Sequence, residues 1–117
     1  MITAAETKRK FDEDPKWWKI PLMDFVDDFR YYKDVKAILE PFELGDEEKD
    51  AVLAGVIETL CDELAIPIPA WLNNVPPCRK PLFLSRMESL KAITIVECPV
   101  RFRLRKVFVM ENFLFRV

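Results

Sequence analysis

Between Leu64 and Cys78 the chain carries no charge and four prolines, at positions 67, 69, 76 and 77. Proline fixes φ and has no N–H to donate, so this stretch cannot form one long helix or a central strand. Its apolar composition predicts an extended segment laid across a core, with Trp71 and Leu72 as anchors on one short helical turn. Linkers between domains are usually more polar, so the segment reads as part of the domain.

The rest of the chain is punctuated in the same way, by nine prolines and only two glycines, Gly45 and Gly55. Residues 20–40 read as helix. Pro21 suits the first helical position, and Leu22, Phe25, Val26 and Phe29 follow at helical spacing. The stripe resumes at Val35, Ile38 and Leu39, with a break expected near Lys33, and Pro41 ends it. Residues 46–65 form a second helix: Asp46 caps it, Glu47 and Glu48 suit its positive end, and Leu53, Val56, Ile57, Leu60, Cys61 and Leu64 make one apolar face. Gly55 inside that face costs about 1 kcal/mol against alanine, which points to close packing by another element.

Ser85 and Glu88 fit a capping box, so a helix of about three turns carrying Met87, Leu90 and Ile93 is expected from there to Pro99. The last segment has two readings. Val100, Phe102 and Leu104 alternate with Arg101, Arg103 and Arg105 as in a strand, whereas Val100, Leu104, Val107 and Phe108 make a helical stripe. The expected fold is mainly α: a compact helical domain over residues 15–117 with a Pro-rich extended segment, its C-terminal segment helix or β. Residues 1–14 read as a flexible tail.

A chain of 117 residues, half of them apolar, has material for one core. No apolar run approaches the ~18 residues of a spanning helix, and the first ten residues lack the apolar stretch of a secretory signal. Cys61, Cys78 and Cys98 are odd in number and widely spaced, which argues against a disulfide framework. A cytoplasmic, reducing compartment is the expectation, with no membrane partner.

The charge is unevenly divided. Residues 1–64 carry 17 acidic and 9 basic side chains, a net of −8; residues 65–117 carry 3 and 9, a net of +6, for −2 in all. Either the halves pack together and neutralise one another, or Arg101, Arg103, Arg105 and Lys106 form an exposed basic face for an acidic partner or nucleic acid. The overall acidity, with a pI near 5.3, weighs against nucleic acid.

There is no histidine, which removes the commonest general base and metal ligand together. Two glycines cannot write a dinucleotide fingerprint or a P-loop. The carboxylates at Asp27/Asp28 and Asp62/Glu63 are adjacent in sequence and point to different helix faces, and Asp24, Asp27 and Asp28 lack calcium-loop spacing. Trp17-Trp18, between Lys16 and Lys19, reads as one ring on the core and one over its edge; exposed, the pair would be an interaction hot spot. No catalytic residue, metal site or cofactor is expected.

Pro81-Leu-Phe83, Leu90 through Pro99, Phe102 through Val109 and Glu111-Asn-Phe-Leu114 together resemble the C-terminal end of short bacterial proteins of unknown function. Some of these are encoded beside nucleotidyltransferase-like proteins in toxin–antitoxin-like arrangements. The resemblance covers under half the chain and implies an antitoxin-like or accessory role, with Phe102, Arg103, Arg105, Val107 and Phe108 in the shared motif. The expected function is thus a non-catalytic protein-interaction module, an antitoxin or accessory subunit binding a partner protein through Trp71, Arg101, Phe102, Arg103, Arg105 and Lys106. The alternative is a small nucleic-acid-binding regulator using the basic C-terminal segment.

Overall fold

A computed structural model describes residues 1–84, 98–109 and 113–114. Its centre is the helix that the capping signals mark most clearly, Glu47–Leu64 (α3). The Asp46 side chain accepts the Glu48 N–H at 2.9 Å. Every residue from Ala51 to Ile57 is buried, because α3 is enclosed by other helices. Ala65 ends it with a left-handed turn (φ 56°), and the Ile66 N–H closes back on the Cys61 carbonyl at 2.9 Å.

The expectation of a flexible tail over residues 1–14 is corrected. Ala4–Glu13 is a helix (α1), capped by Thr3, whose Oγ1 accepts the Glu6 N–H at 3.1 Å. Its buried positions are Ala4, Thr7, Lys8 and Phe11, spaced as a helix face should be. Only one of the four is a large apolar residue, so a hydrophobicity scan misses a face that is nonetheless inside. The Ile2 N–H donates to Asp28 at 2.7 Å and ties the start of the chain to the next helix.

That helix, Lys19–Tyr32 (α2), follows a 3-10 turn at Pro15–Trp17. Pro21 therefore stands third in α2, not first, still within the turn whose N–H groups have no helical partner. Leu22, Phe25, Val26 and Phe29 face inward as their spacing predicts. Lys33 breaks the helix in a left-handed conformation (φ 54°), and a separate 3-10 turn, Val35–Ile38, buries Ala37 and Ile38. Val35 and Leu39, expected on the same stripe, are exposed.

The uncharged segment crosses the core as anticipated. Its short turn, Ala70–Asn74, buries Leu72, and Trp71 donates its indole N–H to the Ile38 carbonyl at 2.9 Å. The C-terminal segment is helical where its alternation gave a strand, and a strand follows only beyond that helix. Val100–Leu104 is a short helix (α4), begun one residue after Pro99. A left-handed Lys106 (φ 59°) then turns the chain into Val107–Phe108 (β2), which pairs in parallel with Leu82–Phe83 (β1), Leu82 opposite Val107. The helix expected from Ser85, with Met87, Leu90 and Ile93, lies outside the described residues. The described fold is mainly α, as expected, with α3 packed by α1, α2 and α4.

Candidate functional site

The C-terminal residues expected to meet a partner fall close together in the fold but not on one surface. Phe102 is completely buried against α3, and Arg105 is buried as well. The Arg105 Nε donates to Glu58 of α3, and its two terminal nitrogens donate to the carbonyls of Val75 (2.7 Å) and Leu72 (2.9 Å). One planar fork thus fixes the Pro-rich segment, whose backbone has no ladder of its own to satisfy it. Arg105 and Phe102 are accordingly corrected from partner-binding to structural positions, since neither is presented to solvent.

Arg101 is half-exposed and grips Asp62 through Nε at 2.8 Å and a terminal nitrogen at 3.2 Å; this hydrogen bond holds its guanidinium above the ordinary value. Arg103 donates to the Cys98 carbonyl at 2.8 Å. Lys106 is exposed. Trp71 is half-buried, its ring set edge-on to Phe42 with centroids 5.5 Å apart. With Arg79 on Glu47 as well, three cations of the basic half pair with carboxylates of α3, so part of the charge split is an internal complementarity.

The three thiols offer no nucleophile. All are buried and unpaired, and burial, followed by the nearby Asp62 and Glu58, pushes Cys61 up to about 11. Burial is also the first cause of the raised values at Cys78 and Cys98. A thiol held in its neutral form is a poor nucleophile and a poor metal ligand. Among the described residues no group of three or more carboxylates and thiols is placed to hold a metal ion, and no helix is long and apolar enough to cross a membrane.

Large apolar side chains are exposed at several places, among them Val100 and Leu104 of α4 and Tyr31 at the end of α2, and two of them line a groove. The turn between α1 and α2 opens a groove of about 650 Å³ lined by Trp17, Ile20 and Pro21, with the charged Lys10, Glu13, Asp14 and Asp24. Trp17 is 55% exposed and Ile20 58%. Trp18, by contrast, packs edge-on against Phe11 with centroids 5.9 Å apart, so one tryptophan of the pair covers the core and the other does not. Lys16 sits over the Trp17 ring, 5.3 Å from its centroid. The doubled tryptophan was the available signal in the sequence; the exposure of Ile20 had none, since it falls beside an otherwise inward-facing stripe.

Compared with protein-family models, with curated proteins and with solved structures, the chain matches none.

Proposed function

We propose that this chain is a non-catalytic protein-interaction module, an antitoxin or accessory subunit, that binds a partner protein through the groove beside Trp17. One observation carries the reading: two large apolar side chains, Trp17 and Ile20, line one open groove and are each more than half exposed. Tryptophan is among the residues most enriched at binding hot spots, and an exposed apolar groove with a charged surround is the usual form of a binding surface. The C-terminal resemblance points to the same accessory role, and three buried, unpaired thiols agree with a cytoplasmic setting.

The nucleic-acid reading loses its main support with the engagement of Arg101 and Arg105 by Asp62 and Glu58. Two of the four cations it needs are already neutralised, one of them inside the fold. The test is affinity capture from lysate after nuclease treatment, with wild type, Trp17→Ala, Ile20→Ala and Arg101→Gln compared. The expected result is one stoichiometric protein, lost with either groove variant at about 30-fold weaker binding and kept with Arg101→Gln. Capture that ignores both groove variants, or that recovers only nucleic acid when nuclease is omitted, refutes the proposal.

A further inference from the structure

We infer that Lys16 is a positioning residue of the groove: its ammonium, laid on the Trp17 ring, holds that ring as the wall a partner meets. The inference rests on the proposed function and names the residue that keeps its main contact in place.

The backbone and the ring of Trp17 are held by different means. The 3-10 turn Pro15–Trp17 sets the backbone: φ is locked at Pro15, and the Trp17 N–H donates to the Asp14 carbonyl at 3.1 Å. That turn leaves the side chain its rotamers. Trp17 is 55% exposed and lies outside the core cluster, and among the described residues no aromatic ring packs on it. The cation set against its ring is Lys16, with Nζ 5.3 Å from the centroid. Among the described residues Lys16 forms no ion pair, so no carboxylate draws the ammonium off the ring. Lys16 does not itself line the groove, and it therefore backs the ring from a side that an occupant does not need.

Trp18 supplies the comparison within the same chain. Lys19 stands over its ring at 5.8 Å, yet Trp18 also packs edge-on against Phe11 with centroids 5.9 Å apart. Core contact fixes that ring whatever Lys19 does. The lysine is a spectator on the inner tryptophan and the holder of the outer one. An exposed ring that changes rotamer freely gives up that freedom on binding, and a ring already held gives up less. An exposed cation–π contact supplies a factor of about two to five in this way.

The experiment follows the indole N–H resonances of the full chain by 15N relaxation, with Trp17 and Trp18 assigned through their Phe variants. Lys16→Gln, Lys16→Arg and Lys19→Gln are compared with wild type. The expected result is that Lys16→Gln lowers the heteronuclear NOE of the Trp17 indole alone, with the unfolding midpoint unchanged. Lys16→Arg restores it, because a guanidinium also stacks on an aromatic face, and Lys19→Gln leaves Trp18 as ordered as before. In capture after nuclease treatment, Lys16→Gln should bind the partner about two- to fivefold more weakly, a smaller loss than with Trp17→Ala, and Lys19→Gln should bind it normally.

An unchanged Trp17 NOE in Lys16→Gln overturns the inference, as does a loss that Lys16→Arg does not restore; either result leaves the groove as the binding surface. Full-strength capture by Lys16→Gln, where Trp17→Ala loses the partner, overturns it too. Capture that ignores Trp17→Ala refutes the proposed function, and the role of Lys16 in binding with it, whatever the relaxation shows.

Discussion

The Phe102 ring lies directly on the backbone of Gly55: a Cβ placed at Gly55 would stand 2.7 Å from Cδ1 of that ring and 3.0 Å from Cε1. Real Cβ atoms do not approach so closely, so the only glycine of α3 is where α4 seats its one buried aromatic ring.

Gly55→Ala should therefore destabilise the protein, although propensity alone favours alanine in a helix by about 1 kcal/mol. The overpacked ring should turn that gain into a net loss of about 1–3 kcal/mol in urea unfolding. In a Phe102→Leu background, which removes the clashing ring edge, the same substitution should be neutral or stabilising. A loss of equal size in both backgrounds would show that Phe102 is not the cause.

The arginines of α4 and its exit should behave very differently from one another. Arg105→Met strands a buried Glu58 and the Val75 carbonyl and takes one of two donors from the Leu72 carbonyl, a loss of about 3–5 kcal/mol. Arg105→Lys should recover little, because an ammonium cannot span all three acceptors as the planar fork does. Arg101→Met breaks a partly exposed pair with Asp62 and should cost no more than about 1 kcal/mol. Denaturation midpoints of the three variants compare these directly, and equal losses would mean that burial does not set the cost.

Lys8 makes a parallel case near the start of α3. Its ammonium lies 2.8 Å from Asp50 Oδ1 as a buried ion pair and donates to the Glu43 carbonyl at 3.1 Å; Asp50 Oδ2 accepts the Gly45 N–H at 3.0 Å. Lys8→Met should cost about 3–5 kcal/mol by leaving Asp50 charged and alone. Adding Asp50→Asn removes that charge yet keeps an acceptor for Gly45, so the double variant should be more stable than Lys8→Met. A double-mutant cycle reads the coupling, and strict additivity would deny it.

The thiols give a pH dependence with a definite sign. Cys61 is raised in the folded chain from 9.0 to about 11, so folding favours the neutral thiol. The unfolded chain loses its proton first as pH rises past 9, and stability from this group is full below that point and lost on the way to about 11. At pH 8 the native thiolate fraction is about 100-fold below that of the unfolded chain, and alkylation of Cys61 should slow by at least that factor. Native and urea-unfolded protein, alkylated side by side and read by mass spectrometry, provide the check. Equal rates would contradict the burial of Cys61.

How legible all this was depends on the range over which each signal acts. The Asp46 cap, the inward face of α3 and the break at Lys33 follow from groups one to four residues apart, and periodicity and capping record them. Gly55 was legible as a close approach because a glycine inside an apolar face has few other uses, but nothing local names Phe102 as the ring that fills it. Residues 1–14 were misread for the converse reason. The inward face of α1 is Ala4, Thr7, Lys8 and Phe11, and a lysine counts as solvent-facing until its carboxylate is known.

The C-terminal segment shows the same limit from the other side. Alternation over residues 100–105 gave a strand where the chain is helical, and the strand comes only after Lys106. The choice depends on Leu82, whose N–H donates to the Lys106 carbonyl at 2.9 Å across a parallel pairing that no local pattern encodes.

By itself, then, the sequence determined a mainly helical chain, the limits of α3, the non-helical course of the Pro-rich segment and a charge asymmetry between its halves. The tertiary structure decided what those charges do. Arg105 meets Glu58 from 47 positions away, and Lys8 reaches the Glu43 carbonyl from 35. It also decided which tryptophan of the pair stays outside. Propensity, capping and periodicity are set within a turn or two of the backbone, whereas burial and ion pairing are fixed by whichever distant segment arrives alongside.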